Sequence, residues 1–452
     1  MQHTLNYKSP SNSRIKIGIL GGGLTGLTVA ANLDCDFEVL EKENRCGGLC
    51  RSFKQSGFTF DCTGAHIIFS RNPRPVDYML SLLADNVHKG RRNNKIYYKD
   101  RYVKYPFENG LSELPKQDTF ECLYHYLNND YPRPANFKDW MYYTFGKGIT
   151  EKYLLPYNRK IWNYDPAQMS MHWVDGRVPK PPAEDVIKSA IGIETEGYTH
   201  QLYFYYPRSG GIQAVIESLE QKVGPRISVD FEVHQITKEA DGWVVSNGRT
   251  AKKFDRIVSA IPVFDLIAAL SDVPVSVAEA VSALKYNSLI SVMLGLKTGN
   301  TPDYTAVYFP DSDAVFHRIA FPKNFSPENV PGGMSSVVAE ITSNPGDGVW
   351  EMKDENVIDL VAGQLQSLGI ISKNDICCQN LTRAKYAYVV YDQDYQKNIE
   401  VVRRYLADTG IMLCGRFAEF EYLNMDACVE HARQLAVKLN KTHSLIPVNN
   451  ER

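Results

Sequence analysis

The chain has 452 residues, of which 44% are hydrophobic and 23% charged, and its formal net charge is −2. These values are ordinary for a globular protein of two or three domains, and they give no reason to expect nucleic acid or an anionic membrane as a partner. The nine cysteines are scattered, which favours a reduced, cytoplasmic protein without a metal site. No apolar run approaches the roughly 20 residues that a membrane span needs.

The first predicted element is a short buried strand over residues 15–20, in which isoleucines alternate with other residues. Gly21, Gly23 and Gly26 follow in G-x-G-x-x-G spacing, and residues 24–33 have a helical composition. In a dinucleotide site the first glycine makes the tight turn and the second lets the backbone approach the pyrophosphate. The third allows the helix to pack closely on the strand. The order strand, glycine turn, helix therefore predicts such a site.

A second predicted strand over residues 37–40 ends at Glu41, where the ribose-binding carboxylate of a dinucleotide site belongs. A second glycine pair, Gly47 and Gly48, follows shortly afterwards. Residues 21–52 resemble the FAD-binding signature of amine oxidases, protoporphyrinogen oxidases and UDP-galactopyranose mutases. In those families the glycine pair lets the backbone pass close to the cofactor. The expected cofactor is therefore FAD.

The rest of the chain is predicted to alternate between helical and strand-rich segments. The predicted helices are 72–90, most of 110–155 with a break at 128–136, 212–222 and 426–439. The predicted strands are 96–98, 102–104 and 203–206, a small sheet from 226–233 and 243–245, a buried strand within 255–262, several strands in 287–297 and 305–342, and a last strand and turn at 413–417.

The predicted fold class is α/β, with a Rossmann-like FAD-binding domain, an inserted helical domain and a mostly antiparallel sheet domain. The buried strand within 255–262 is expected to return to the dinucleotide fold. The resemblance to these flavoproteins, which often have such a strand, implies that the FAD domain is discontinuous. The predicted bounds are a disordered leader at 1–14, the FAD domain at 15–90, 207–270 and 405–440, a mostly helical substrate and nucleobase domain at 91–206, a sheet substrate domain at 271–404, and a tail at 441–452.

From about residue 15 to residue 439 the chain resembles the UDP-galactopyranose mutase family, in particular its eukaryotic-type branch. The matching motifs occur in the same order at 64–70, 105–107, 156–162, 173–177, 206–211, 308–318 and 415–426. The resemblance implies an isomerase that interconverts the pyranose and furanose forms of a nucleotide-diphosphate sugar. Reduced FAD would supply the nucleophile, its N5 atom attacking the anomeric carbon, and NADPH or NADH are candidate reductants. The oligomeric state stays open, with a homo-oligomer as one option.

The resemblance also implies roles for particular residues. Arg177 and Arg318 would clamp the substrate diphosphate, a task that suits a charged, bidentate guanidinium. Together with His66, on a loop that moves with the flavin's redox state, they are the expected catalytic residues. The expected substrate-binding residues are Tyr105, Phe107, Glu108, Trp162, Arg177, Gln201, Tyr308, Arg318, Tyr388 (with Tyr391 close by as a competitor), Tyr422 and Asn424. The expected cofactor-binding residues are Gly21, Gly23, Leu24, Thr25, Gly26, Glu41, Gly47, Gly48, Leu49, Gly64, Ala65, His66, Val233, Gly415, Arg416, Asn424, Met425 and Asp426.

Glu108 departs from the family pattern, which has a Gln that reads uracil at this position. An ionised carboxylate only accepts hydrogen bonds, and guanine presents two adjacent N–H donors where uracil presents one. This favours the hypothesis of a GDP-sugar; the alternative is that Glu108 faces solvent or accepts the single uracil N–H. Ala65, Gln201 and Phe325 also replace the expected Gly, Asn and Tyr, which leaves the sugar open between galactose and another hexose.

Two other functions compete with the mutase. One is an FAD-dependent oxidoreductase of the amine oxidase or protoporphyrinogen oxidase type, and the other is a non-catalytic module that binds FAD or a nucleotide sugar. Arg177 and Arg318 favour the mutase, because a pocket for an amine or a porphyrinogen has no need of two diphosphate-binding guanidiniums.

Overall fold

The computed structural model describes residues 15–174, 178, 180–197 and 199–444. Its central element is a parallel sheet, whose strands in the described part of the chain lie in the spatial order Met412–Leu413, Arg256–Ser259, Lys16–Leu20, Asp36–Leu40 and Ile227–Ser228. The predicted return of the chain at 255–262 is confirmed, because Ile257 pairs with Gly18 and Ser259 with Leu20. The interpretation of residues 226–233 as part of a small sheet is wrong. Ile227–Ser228 instead pairs with the edge of the parallel sheet, and that small sheet consists of Gln235–Glu239, Gly242–Ser246 and Ala251–Phe254.

A second, seven-stranded sheet carries the other half of the molecule. Its described strands lie in the order Ile376–Val390, Lys285–Leu296, Ser335–Thr342, Arg318–Ala320, Ala306–Tyr308, Asn94–Tyr98 and Arg101–Lys104. All neighbours are antiparallel except Ala306–Tyr308 and Asn94–Tyr98, so the predicted mostly antiparallel sheet is confirmed. Successive side chains of a strand point to opposite faces. Val337, Ala339 and Ile341 pack in the apolar core with the helix Asp354–Ser367, which turns Glu340 towards the opposite face.

Three helices pack on the parallel sheet, and the other helices lie elsewhere along the chain. Leu24–Ala30, Gln213–Val223 and the final helix Met425–Ser444 contribute buried side chains to one core with the parallel sheet. Apart from these three and Asp354–Ser367, the α-helices of the described residues are Pro73–Leu83, Lys116–Leu127, Phe137–Ile149, Leu155–Trp162, Ala183–Ala190, Val263–Ala269, Val275–Ala283 and Tyr395–Thr409. A π-helical turn at Thr150–Leu154 leads into Leu155–Trp162. The helical interpretation of 110–155, with its break at 128–136, is confirmed.

Two boundaries differ most from the sequence-based expectation. The helix predicted at 72–90 ends at Leu83, because Val87–Arg91 pairs with Tyr203–Pro207. A Cβ at Gly90 would lie 2.3 Å from the Phe204 ring, so this glycine lets the two strands close on that ring. The final helix runs to Ser444, beyond the predicted start of the tail at 441. The side chain of Asn440 anchors it, donating to the Asn32 carbonyl (2.9 Å). The domain boundaries stay predictions.

A hairpin of Ser52–Gln55 and Phe58–Asp61 connects the parallel sheet to the loop that carries His66. Across the described ranges no helix is both long and apolar enough to cross a membrane. No group of three or more His, Cys, Asp or Glu residues in this part of the chain is placed to hold a metal ion.

Candidate active site

The glycine turn after the strand Lys16–Leu20 brings backbone segments into direct contact. Gly21 has a φ of +98°, and a Cβ at Gly26 would lie 2.0 Å from the Gly21 carbonyl oxygen. The helix Leu24–Ala30 can therefore start this close to the strand only with glycine at 26. Gly23 forms a parallel bridge with Gly47, and the Gly47 amide donates to the Gly22 carbonyl at 2.9 Å.

Glu41 is buried at the end of the second strand and holds the glycine turn in place. One carboxylate oxygen accepts from the Gly22 amide (2.7 Å) and the other from the Glu43 amide (3.0 Å). The Phe231 amide donates to the Glu41 carbonyl at 2.8 Å, which brings the half-buried Val233 to the same edge of the sheet. A carboxylate has about four acceptor sites, so Glu41 retains acceptor capacity for a ribose hydroxyl.

The glycine turn and the loop before the final helix fit an anionic dinucleotide. Gly23 and Gly48 pack backbone against backbone: a Cβ at Gly48 would lie 3.4 Å from the Gly23 Cα, and a Cβ at either glycine would meet no side chain of a more distant residue within 4 Å. Beside the loop, the Arg416 guanidinium has a buried Nε and a buried Nη2 without partners among the described residues. Unmet buried donors on a cation are costly unless a ligand satisfies them. A bare backbone cradle next to such a cation suits a pyrophosphate-containing cofactor.

Gly415 is held by the carboxylate of Glu419, which lies before the final helix and contacts His431 on that helix. The Gly415 amide donates to a Glu419 carboxylate oxygen at 2.7 Å, and the same carboxylate lies 2.9 Å from Nδ1 of His431. The hydrogen bond with Glu419 raises the pKa of His431 above its ordinary value. Gly415 has a φ of +106°, and a Cβ there would lie 2.7 Å from the Thr25 hydroxyl oxygen. The final turn therefore closes directly on the first helix of the cradle.

Asp61 connects the cradle to the loop that carries His66. Its buried carboxylate accepts from the Ser52 hydroxyl (2.7 Å), the Tyr206 hydroxyl (2.9 Å) and the Ile212 amide (3.1 Å), and the His66 amide approaches it at 3.3 Å. Nδ1 of His66 lies 2.9 Å from the Gly64 carbonyl oxygen, so Nδ1 carries the proton. Burial lowers the pKa of His66, which is therefore a neutral imidazole at neutral pH.

Arg318 lies on the seven-stranded sheet, next to that loop, and is paired with a buried carboxylate. Its Nε and Nη2 donate to the two oxygens of Glu340 at 2.9 and 2.5 Å, a bidentate pair. Burial opposes the charge of Arg318, but Glu340 outweighs this and raises its pKa well above the ordinary value. The Glu340 side chain is fully buried, whereas the Arg318 side chain is 25% exposed. A Cβ at Gly64 would lie 2.6 Å from the Glu340 carboxyl carbon, so the His66 loop passes directly over this pair.

Tyrosine rings surround Arg318. Tyr308 pairs with Arg318 across two strands, stacks on Tyr105 (ring centroids 4.8 Å apart) and meets the edge of Tyr157 (5.5 Å). Tyr388 lies 6.1 Å from the Tyr422 ring, and the Arg416 guanidinium lies 4.3 Å from the centre of the latter. Burial raises the pKa values of Tyr105, Tyr157 and Tyr388, so these phenols remain protonated hydrogen-bond donors.

The structure distinguishes Tyr388 from its neighbour Tyr391. Tyr388 faces Arg416 and Trp162 (6.2 Å between rings), whereas the Tyr391 hydroxyl accepts from the Tyr422 amide at 2.6 Å and its ring packs on Tyr395. Tyr388 is therefore the ring that the structure brings to the cations.

A further arginine, Arg92, lies in the same pocket, although no sequence motif includes it. It lies over the Phe69 ring (4.7 Å) and donates to the Gln201 side-chain oxygen at 2.6 Å, while its Nε has no partner among the described residues. Burial lowers its pKa, and Tyr308, Tyr105 and Arg318 are its charged and polar neighbours.

Sequence reasoning also missed Glu340 and assigned no role to Tyr157, although a signal for the first was present. A single acid in the otherwise apolar and small strand Ser335–Thr342 must face a cation or water.

Other expected residues lie farther from this pocket's surface. Phe107 is fully buried and stacks on Tyr153 at 5.1 Å, and Trp162 is 4% exposed. Asn424 is exposed just before the final helix, where Asp426 accepts a hydrogen bond from Ser70. Phe325 packs on Phe204 (5.9 Å).

Arg177 lies outside the described residues. Leu24 and Thr25 are buried in the first helix, Leu49 and Met425 pack against the cores, and Ala65 packs beside Phe325.

Comparison with known proteins identifies the family. Residues 24–440 match the family of flavin-containing amine oxidoreductases. The chain belongs to this family. The expectation of a flavoprotein is thereby confirmed, and flavin is the cofactor that the cradle fits.

Solved structures of this family's fold are similar over nearly the whole chain. A reduced UDP-galactopyranose mutase is 24% identical, with a TM-score of 0.85 over 95% of this chain and 96% of that one. A putative protoporphyrinogen oxidase from Exiguobacterium sp. 255-15 is 17% identical, with a TM-score of 0.76 over 95% and 99% of the two chains. Both similarities confirm the α/β flavoenzyme fold.

A curated relative matches over a short stretch. An inactive all-trans-retinol 13,14-reductase from Danio rerio is 48% identical over 48 residues, which are 11% of this chain and 8% of that protein. The match spans less than a tenth of that relative's length.

Proposed function

We propose that this flavoprotein is a mutase that interconverts the pyranose and furanose forms of a nucleotide-diphosphate sugar with its flavin reduced. The observation that carries the proposal is the charge of the pocket. Arg92, Arg318 and Arg416 converge on one set of tyrosine rings beside the glycine cradle. Guanidinium forks and protonated phenols are the donors that a diphosphate takes.

The same charge argues against an amine substrate. Alkyl amines have pKa values near 10 and are cations at neutral pH. The guanidiniums of Arg92 and Arg416, which form no ion pair with a carboxylate among the described residues, would repel them. Family membership and the similarity to a putative protoporphyrinogen oxidase favour an oxidase as the second candidate. An oxidase of an anionic substrate would also fit the pocket, and the assay below separates it from a mutase.

The chain's own residues orient the substrate in this proposal. Arg318, fixed by Glu340, binds the diphosphate, and Tyr308, Tyr388 and Tyr422 donate hydroxyl hydrogens to its oxygens. Arg177 is expected to complete the clamp. The neutral His66 lies on the loop between this clamp and the cradle, with its Nδ1 proton held by Gly64. A bound reduced flavin supplies a nucleophilic nitrogen, which accounts for the lack of a protein nucleophile in the expected site. NADPH or NADH is the proposed reductant.

The test is a chromatographic assay of ring isomerisation on the flavin-loaded full chain. The protein, with its flavin oxidised or reduced by dithionite, NADPH or NADH, is incubated with UDP- and GDP-hexoses. A new isomer of unchanged mass that forms only with reduced flavin supports the mutase. If no isomer forms in either nucleotide series while the flavin stays reduced, the mutase is excluded. Anaerobic bleaching of the oxidised flavin by an added amine or porphyrinogen then establishes an oxidase.

A further inference from the structure

Glu108 is a buried carboxylate without a counter-charge. Its side chain lies in the short turn Phe107–Asn109 and the residue is 4% exposed. No ion pair reaches it within the described residues. Burial raises its pKa to about 7, and only its own backbone amide offsets this. A carboxylate has about four acceptor sites, so Glu108 retains acceptor capacity that a ligand with N–H donors can use.

The aromatic wall of the pocket leads from the diphosphate clamp to Glu108. Arg318 pairs with Tyr308, which stacks on Tyr105, three residues before Glu108. The Glu108 carboxylate interacts electrostatically with the phenols of Tyr105 and Tyr153. A nucleotide whose phosphates bind Arg318 would therefore extend its base along stacked rings towards this carboxylate.

The turn around Glu108 is rigidly held, which fixes the position of the carboxylate. The side chain of Asn109 donates to the Thr195 hydroxyl at 2.5 Å. A Cβ at Gly197 would lie 2.5 Å from Asn109 and 2.6 Å from Pro106, so this segment closes tightly over the turn. A preorganised acceptor discriminates well between ligands, because a mismatched group leaves it unpaired.

We propose that Glu108 selects guanine, so that the substrate of the proposed mutase is a GDP-sugar. The inference rests on the proposed function and names its substrate class. The two oxygens of an ionised carboxylate match the adjacent N1–H and N2–H donors of guanine. Uracil presents one N–H between two carbonyl oxygens, and those oxygens repel the carboxylate. Adenine and cytosine present an amino group beside a ring-nitrogen acceptor, which leaves one carboxylate oxygen unpaired.

The experiment is calorimetric titration of GDP and UDP, without sugar, into the flavin-loaded full chain at about pH 8. Because a good bidentate contact to a base is worth about 1–3 kcal/mol, we expect GDP to bind roughly five- to 150-fold more tightly than UDP. In Glu108→Gln the amide offers one donor and one acceptor, as uracil requires, so the ratio should fall at least about tenfold. The matched control is Glu217→Gln, an exposed acid on the helix Gln213–Val223, which should leave the ratio unchanged.

The wild-type protein provides a second arm that needs no variant. Below the folded pKa of about 7 the protonated Glu108 resembles an amide, so the preference for GDP should shrink between about pH 8 and pH 6. Equal binding of GDP and UDP at pH 8, or a ratio that neither Glu108→Gln nor acid changes, overturns the guanine proposal and leaves the nucleotide-sugar mutase standing. A clear GDP preference without ring isomerisation overturns the mutase and keeps the guanine site. Absence of binding by either nucleotide overturns both.

Discussion

The cofactor cradle and the cation pocket are neighbours that are built in opposite ways. The cradle is formed by main chain, and at Gly26 and Gly47 it has no room for a single additional carbon atom. The pocket is formed by long side chains, with Arg318 held by Glu340 and Tyr308 stacked beside it. The cradle should therefore lose flavin binding when a side-chain atom is added to one of its glycines. The pocket should lose nucleotide binding when a charge is removed.

The two regions also differ in how far apart their parts lie in the sequence. The first two strands of the cradle, its G-x-G-x-x-G turn and its second glycine motif all lie within residues 16–48. The pocket instead assembles Arg92, Arg318 and Arg416 from distant parts of the sequence. A short motif can describe the first kind of site but not the second. The following predictions are ordered from the largest expected effect to the smallest.

Gly26→Ala should abolish flavin binding. The new Cβ would lie 2.0 Å from the Gly21 carbonyl oxygen, so the first helix must move away from the strand. The measurement is the flavin absorbance of the purified protein relative to its protein absorbance. Gly348→Ala is the control, because a Cβ there meets no atom within 4 Å. A Gly26→Ala protein that retains a full complement of flavin would show that the cradle does not bind the cofactor.

Arg318→Ala should remove nucleotide-diphosphate binding while the flavin content stays normal. The charge pair that is lost is the one between Arg318 and the bound diphosphate. Truncating one partner of such a buried pair costs about 2–5 kcal/mol, which corresponds to a roughly 30- to several-thousand-fold loss of nucleotide affinity. Arg318→Lys should be intermediate, because an ammonium keeps the charge but cannot form the bidentate pair with Glu340. Titration with GDP and UDP measures the loss. Unchanged affinity in Arg318→Ala would exclude Arg318 as the diphosphate ligand.

Glu340→Gln should raise the nucleotide KM about tenfold, with a smaller effect on kcat, because the amide can accept only one of the two Arg318 hydrogen bonds. The residue acts by positioning Arg318. The readout is the KM measured beside the free energy of unfolding, with the exposed Glu355→Gln as control. A loss of stability without any change in KM would assign Glu340 a structural role only.

His431→Gln should have the smallest effect, and that effect should depend on pH. The Glu419 hydrogen bond raises the folded-state pKa of His431. The ion pair therefore stabilises the protein fully below the unfolded pKa of about 6.5 and fades as the pH rises through the higher folded value. The His431 side chain is 37% exposed, so screening limits the stabilisation to a few tenths of a kcal/mol.

Unfolding of the wild type and of His431→Gln between about pH 5.5 and pH 8.5 measures this difference. A difference in stability that grows with rising pH would contradict the assignment.

The sequence predicted the region that depends on backbone geometry and much of the second sheet. Gly21, Gly23, Gly26 and Glu41 lie together as their spacing indicates, because adjacent parallel strands end at the same edge. The elements that it missed depend on distant partners: residues 87–91 become a strand only because residues 203–207 pair with them.

The cation pocket could be predicted only in part. Arg318, Tyr308 and Tyr388 were expected through a family resemblance, and no local pattern distinguishes them from surface residues. Arg92 belongs to no sequence motif. It is buried by contacts with Phe69 and Gln201, and neither stands at a spacing from Arg92 that a helical or strand pattern would reveal.

The order of strands in the parallel sheet has a consequence for biosynthesis. Arg256–Ser259 lies between Lys16–Leu20 and Met412–Leu413, and the Gly415 turn follows that last strand. Synthesis at roughly 5–20 residues per second takes about 20–80 s to cover the approximately 390 residues between Leu20 and Met412. The glycine turn emerges from the ribosome long before its closing partner. The cradle is therefore completed only near the end of synthesis, and a flavin that needs the Gly415 turn can bind only then.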